Sequence, residues 1–242
     1  MKTLKILILF SVAALFSCHP HQPQLTGGVV FQEESYIFTE AQKATIKKFI
    51  VKTEKEVKTL LPKLPDSINV IVEFVDWDLN TVGGVTGRTE SNNPPVVAIQ
   101  LSKNYRGGIV DYLQSGIKST IYHEYHHLSR GWAIKDNKFS YGIPNAMVNE
   151  GLAVAFAEQY TGAVYEANSY TDHAHKWVKE ILELPLKASY SDWVMGEHPD
   201  GRTFIAYRTG NYLIQKAISL SGKNILELSE LMPDEIINIA GY

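Results

Sequence analysis

Apolar residues recur at two different spacings along the chain, and the spacing changes near Gly108. Before that point, a segment that begins at Thr39 repeats apolar residues at helical spacing to about Leu61. The segment opens with the capping-box pattern T-E-A-Q, and Pro62 follows its last apolar pair. This pattern predicts a long amphipathic helix.

Three runs between this helix and Gly108 are typical of strands. The run INVIVEFV, residues 68–75, is rich in β-branched residues and predicts a largely buried strand. Two shorter candidates follow near residues 84–88 and 96–101, with two asparagines and two prolines between them. We therefore expect a small sheet in this part of the chain.

From Gly108 to the end of the chain, apolar residues recur at helical spacing only. This spacing predicts helices at about residues 109–129, 144–161, 171–184, 203–220, 224–232 and 233–240. Prolines stand where a first helical turn tolerates them, and glycines stand where helices end. A small sheet followed by a helical half indicates one α+β domain, with the helix at 109–129 at the junction.

Composition narrows the class of protein. The chain has 242 residues, of which 45% are hydrophobic, as expected for one globular domain. Its formal net charge of −3 leaves no basic stripe that would neutralise phosphates, so nucleic acid is not an expected partner. Cys18 is the one cysteine, which excludes internal disulfides and cysteine-based zinc sites.

The N-terminus has the pattern of an export signal. Two lysines precede an apolar run over residues 6–16, which is too short to cross a bilayer. The sequence LFSC, residues 15–18, resembles the lipobox of bacterial lipoproteins, in which the signal is cut before the cysteine and the cysteine is acylated.

These features predict three regions. Residues 1–17 would be a lipoprotein-type signal peptide, residues 18–34 a tether, and residues 35–242 a single domain. A lipidated Cys18 would hold the protein at a bacterial membrane outside the cytoplasm, in the periplasm or at the cell surface. The alternative is a soluble secreted protein with an incidental cysteine.

The helix predicted at the junction carries the sequence HEYHH. His123 and His127 share one face of this helix, whereas Glu124 lies inside its apolar stripe. In the H-E-x-x-H arrangement both imidazoles bind zinc and the glutamate activates a water molecule. The alternative is a helix with surface histidines and one acid at its edge. His126 lies away from the stripe and is expected at the rim of the site, or in support of a ligand, rather than as a ligand.

A third ligand is expected on the next helix. Glu150 stands within a stripe of small apolar residues in PNAMVNEGLAVAFAEQYTG, where an unpaired carboxylate would be costly. The alternative is an exposed acid on a surface helix. A divalent cation between Glu150, His123 and His127 would offset these costs, and two histidines, one carboxylate and one open position match catalytic zinc.

HEYHH followed by NEGLA resembles the gluzincins, metallopeptidases with H-E-x-x-H on one helix and a ligand glutamate on a later one. Residues 67 to about 232 are similar to a bacterial family of predicted zinc-dependent proteases catalogued as a domain of unknown function. The resemblance implies a zincin-like fold, with a small twisted sheet packed on the active-site helix and a mainly helical half after it. It also implies Zn²⁺ ligands at His123, His127 and Glu150, and a general base at Glu124.

We therefore predict a zinc-dependent peptidase that acts on a peptide or protein substrate. An oxyanion donor is expected among Tyr207, Arg208, Tyr212 and His198, with Tyr207 favoured. Substrate would lie extended along a sheet edge formed by one of the two short strands. One alternative is an extracytoplasmic lipoprotein that binds zinc without catalysis. Another is a structural membrane-associated module whose histidines hold no metal.

Overall fold

The computed structural model describes residues 27–34, 36–106 and 115–242. The described residues form four strands and seven α-helices in the order β1, α1, β2, β3, β4, α2 to α7, which confirms the α+β class and is compatible with a zincin-like fold. Their bounds are β1 Gly28–Gln32, α1 Glu40–Leu60, β2 Asn69–Val75, β3 Val85–Asn92, β4 Pro95–Ser102, α2 Ile117–Arg130, α3 Ile143–Thr161, α4 Ala174–Leu182, α5 Ile205–Ser221, α6 Ile225–Ser229 and α7 Pro233–Ile239.

The four strands form one mixed sheet in the order β1-β2-β4-β3. The first three strands in this order are parallel, whereas β3 runs antiparallel to β4 at the sheet edge. Helix α2 packs against β3 and β4, and α1 packs against α2. The helix that carries HEYHH therefore lies directly beneath the edge strand.

Strand β1 corrects part of the predicted tether. Residues 28–32 pair in parallel with β2, and the side chains of Val29 and Phe31 pack on the core while Val30 is exposed. The strand has only two inward-facing positions, too few for its alternation to be distinguished from a Gly-bearing linker. Residues 1–26, which include the predicted signal peptide and Cys18, lie outside the described residues.

Most helix predictions agree with the structure to within a few residues. At the start of α1, Gln42 N–H donates to Thr39 Oγ1 and Thr39 N–H donates to Gln42 Oε1, which confirms the capping box. The helix predicted at 109–129 is described only from residue 115 onward. The segments predicted at 171–184 and 224–232 form shorter helices, and a π-helical turn at Ser191–Met195 was not predicted. Among the described residues, no helix combines the length and hydropathy needed to span a bilayer.

Helices α3 and α5 cross at a contact between two glycines. A Cβ atom built on Gly151 would lie 2.3 Å from the carbonyl carbon of Gly210, and one built on Gly210 would lie 2.1 Å from the oxygen of Met147. No side chain fits at such distances, so both positions require glycine. The crossing sets the neighbours of these glycines, Glu150 and Tyr207, on facing helices.

We predict that Gly151→Ala destabilises the protein by about 2 kcal/mol, because the new methyl group must push α5 away. Helix propensity alone predicts the opposite sign, a gain of about 1 kcal/mol. Chemical denaturation measures the difference in the free energy of unfolding.

Gln159→Ala is the matched control for this substitution. Gln159 is exposed on the same helix α3, two turns beyond the crossing. Its stability should stay within about 0.5 kcal/mol of the parent protein. Stabilisation by Gly151→Ala would contradict the close crossing of α3 and α5.

Candidate metal centre

The motif helix approaches the edge strand closely because small residues line their contact. A Cβ atom on Gly116 would lie 2.6 Å from Val85 Cγ2, and one on Gly87 would lie 2.7 Å from both Glu124 Cγ and Thr120 Cγ2. The small residues Gly116, just before α2, and Thr120 therefore face the backbone of β3 and the residues just before it. Glu124 is thereby held against the strand.

Three of the predicted site residues converge beside this contact. The Nε2 atoms of His123 and His127 lie 2.9 Å apart, and Glu150 Oε2 lies 3.1 Å from the first and 3.0 Å from the second. Glu150 and His127 are buried, while His123 is partly exposed. His123 and His127, one turn apart on α2, and Glu150 on α3 therefore bring three potential metal-ligand atoms together.

The donor set and its spacing fit zinc. Ligand atoms placed about 2.0–2.1 Å from a tetrahedral zinc ion lie roughly 3.3 Å from one another, close to the distances between these three atoms. Hydrogen bonds alone explain this cluster poorly. Both Nε2 atoms would have to carry a proton in order to donate to the carboxylate, and these two N–H groups, whose nitrogens lie 2.9 Å apart, would repel each other. Two imidazole nitrogens and one carboxylate oxygen also leave a fourth tetrahedral position open.

Glu150 is held as an anion by its surroundings. Burial alone would raise its pKa, but the imidazoles of His127 and His123 outweigh burial and hold the pKa well below its usual range. Trp132 Nε1–H donates to Glu150 Oε1 at 3.0 Å, which leaves Oε2 directed at the histidines. Sequence reasoning missed Trp132, because no periodicity marks a residue that follows the end of a helix at Gly131.

Glu124 has a different environment from Glu150. Burial raises its pKa to about 7, the nearby charge of Glu150 adds to this effect, and His123 and a hydrogen bond from Thr89 oppose it. The hydroxyl of Thr89 lies 3.0 Å from Glu124 Oε2 and can donate to it, which leaves Oε1 available for another proton. The pKa values of the two carboxyl groups are therefore shifted in opposite directions.

Two tyrosines border the cluster. The ring of Tyr207 stacks 6.2 Å from that of His123, and burial together with Glu150 and Glu124 holds the pKa of Tyr207 well above its usual value. Burial and the charge of Glu150 also raise the pKa of Tyr190, whose ring packs 5.8 Å from that of Tyr141. Both phenols therefore stay protonated and remain hydrogen-bond donors. Sequence reasoning missed Tyr190, which precedes the unpredicted π-helical turn.

The other oxyanion candidates lie apart from the cluster. His198 Nδ1 lies 2.9 Å from Asp200 Oδ1, and Tyr212 accepts a hydrogen bond from the hydroxyl of Tyr242 at 3.4 Å. Within the described part of the chain, no hydrogen bond or ion pair joins His198, Tyr212 or Arg208 to the histidines or to Glu150. Tyr207 is thus the best placed of the four.

His126 is not at the rim. Only 1% of its surface is exposed, and its Nε2 lies 2.8 Å from Ser229 Oγ on the short helix α6. The prediction that His126 lies at the rim was wrong, because α6, which is distant in sequence, covers this side of α2. His126 does lie outside the cluster of ligand atoms, as expected.

Comparison with known proteins identifies a family that this chain matches. The model of a family described as "Predicted Zn-dependent protease (DUF2268)" matches residues 109–238, a range that includes the HEYHH motif, Glu150 and both tyrosines. No curated protein matches the chain, and neither does any solved structure.

Proposed function

The chain belongs to this family of predicted Zn-dependent proteases, and we propose that it is a zinc-dependent peptidase with His123, His127 and Glu150 as the metal ligands. The observation that supports this proposal most directly is the mutual approach of their ligand atoms to 2.9–3.1 Å. Because Glu150 is buried and anionic while His127 is buried with it, a dication is the partner that best offsets their desolvation.

Zinc bound by these residues would supply a Lewis acid that lowers the pKa of water and polarises the substrate carbonyl. Glu124 acts as the general base. Its Oε1 accepts a proton as the water oxygen bonds to the carbonyl carbon, and it then gives this proton to the nitrogen of the leaving amine as the C–N bond breaks. Thr89 holds Oε2 and so fixes the carboxyl group in position.

Tyr207 is proposed as the donor that stabilises the developing oxyanion. Its phenol stays protonated next to the two carboxylates, and its ring position is fixed by the stack on His123. The Gly151–Gly210 crossing places it there, since Tyr207 precedes Gly210 by one turn of α5. A neutral donor in a buried site is worth more to the transition state than the same group in water.

The edge of β3 is proposed as the place where substrate lies. Strand β4 is paired on both sides, which removes the predicted alternative at residues 96–101. Ser102 N–H donates to Gly84 O, and in an antiparallel pair every second residue forms hydrogen bonds with the partner strand. The N–H and C=O groups of Val85 and Gly87 therefore point away from β4, toward the open edge. The region near Thr89 and Glu90 is partly covered, because their carbonyls accept bonds from residues 134 and 135. Gly87 borders Glu124, so an added strand would pass next to the general base.

The location is also a proposal. We propose that Cys18 is lipidated and that the domain works outside the cytoplasm at a bacterial membrane, because the signal-like segment places the one cysteine where a lipobox requires it. With β1 included in the domain, a tether would end before Gly28. A peptide or protein is then the expected partner of the site, and nucleic acid is not.

Glu124→Gln should retain bound zinc and lose about 10²–10⁴-fold in peptide cleavage, because glutamine cannot accept the proton. Cleavage of a peptide library, with and without chelator, measures activity, and elemental analysis measures zinc. A zinc-binding lipoprotein without catalysis would show no chelator-sensitive cleavage in the parent protein. That result would leave the binding alternative standing.

Tyr207→Phe should lower kcat by about 10²-fold and change KM little, since the lost hydrogen bond acts mainly on the transition state. Tyr212→Phe on the same helix is the control and should retain full kcat. Equal kinetics in the two variants would exclude Tyr207 as the oxyanion donor.

Backbone N-methylation of a cleaved peptide should show a period of two. Alternate residues of an added strand face the edge of β3, so alternate N-methyl groups should abolish cleavage while the others are tolerated. Cleavage rates across the methylated series provide the measurement. A uniform response along the peptide would argue against strand addition.

Cys18→Ala should move the protein from the membrane fraction to the soluble extracytoplasmic fraction, because no acyl chain would be attached. Fractionation of cells and detection by antibody measure the distribution. If parent and variant both fractionate as soluble protein, the lipid anchor is wrong, and an incidental cysteine is the better interpretation.

A further inference from the structure

A cavity of about 260 Å³ lies at the last turn of α2, beside the candidate metal centre. Its walls come from the end of α1, from His126 and Arg130 of α2, from Lys138 and Phe139, and from α6 with the residues that follow it. Pockets for drug-sized ligands measure about 300–1,000 Å³, so this cavity suits a smaller molecule.

Positive charge exceeds negative charge in the walls. Lys63, Arg130 and Lys138 contribute three cations, and Glu230 contributes one carboxylate, which pairs with Lys63. Lys138 forms no ion pair with any described residue, including Asp234 of an adjoining cavity of about 160 Å³. The excess charge indicates an anionic ligand.

Arg130 has unused donors. Its guanidinium donates to Asn149 Oδ1 at 2.9 Å, to Leu231 O at 3.1 Å and to Ser229 O, and all three acceptors are neutral. A guanidinium group carries five N–H donors, and these three acceptors use three of them, so a bound carboxylate would find two more. Glu230 attracts the guanidinium from a distance, but no ion pair joins the two among the described residues.

Most of the other side chains that line the cavity are apolar, and His126 among the polar ones has an unpartnered acceptor. The apolar side chains are Leu60, Leu61, Pro62, Phe139, Leu226, Leu231 and Met232. Ser229 Oγ donates to Ile225 O at 2.7 Å and therefore accepts from His126 Nε2–H, so His126 Nδ1 carries a lone pair. This Nδ1 is buried and has no hydrogen-bond partner among the described residues. A matching ligand would supply an N–H group.

We propose that this cavity binds the carboxyl-terminal residue of a peptide, or an N-acylated amino acid, with an apolar side chain. The carboxylate pairs with Arg130 and Lys138, the side chain packs against the leucines and Met232, and the N–H donates to His126 Nδ1. Arg130 contacts Asn149 and His126 precedes His127, so the bound ligand adjoins both helices of the candidate metal centre. The proposal does not depend on peptidase activity, because binding requires no cleavage.

Calorimetric titration of the full chain with N-acetyl-leucine tests this proposal, in zinc-free and zinc-loaded protein. We expect saturable binding, weakened at least about tenfold by Lys138→Met, which keeps the aliphatic stem and removes the charge. Lys135→Met is the matched control, since Lys135 is exposed and outside the cavity walls, and it should bind N-acetyl-leucine within about twofold of the parent protein.

Three analogues test the three contacts separately. N-acetyl-leucine amide lacks the carboxylate, N-acetylglycine lacks the side chain, and 4-methylpentanoate lacks the N–H group; each should bind at least about tenfold more weakly. Equal binding of any analogue, equal effects of Lys138→Met and Lys135→Met, or no heat at about 10 mM ligand would overturn the proposal. Loss of peptide cleavage in the same protein preparation would bear only on the peptidase proposal.

Discussion

The constraint on which the site depends is the burial of an anionic carboxylate against two imidazoles. Glu150 is 6% exposed, and its carboxylate contacts Trp132, Tyr207 and the two histidines of α2. Burial of such a charge costs several kcal/mol unless positive charge lies close to it. The two imidazoles supply part of this compensation, and a dication bound between them and Glu150 would supply more.

Close contacts at glycine residues fix the positions of the two buried glutamates. The contact of Gly87 with the motif helix sets Glu124 against β3, and the Gly151–Gly210 crossing sets Glu150 opposite Tyr207. Each close approach excludes water from the site. The pKa values of the two carboxyl groups are therefore set by burial and by neighbouring side chains. The pKa of Glu124 rises while that of Glu150 falls, although both lie within one small volume.

The sequence predicted the parts of the site that follow from a single element. Helical spacing placed His123 and His127 on one face, and an acid inside an apolar stripe marked Glu150. It did not predict Trp132, Tyr190 or the buried state of His126, because each depends on which distant segment packs against the helix. Strand β1 was missed for a related reason, since five residues carry too little alternation to separate a strand from a linker. Periodicity reports on one element at a time, and contacts between elements need the folded chain.

The most direct test of the central claim is the zinc affinity of the protein with and without the Glu150 carboxylate. Competition with a chelator of known affinity should give one zinc ion per chain in the parent protein, and affinity lower by more than about 100-fold in Glu150→Gln. Glu158→Gln, on the same helix and two turns away, should bind zinc as the parent protein does. If Glu150→Gln and the parent protein bound zinc equally, or if neither bound it, the proposed metal centre would be wrong.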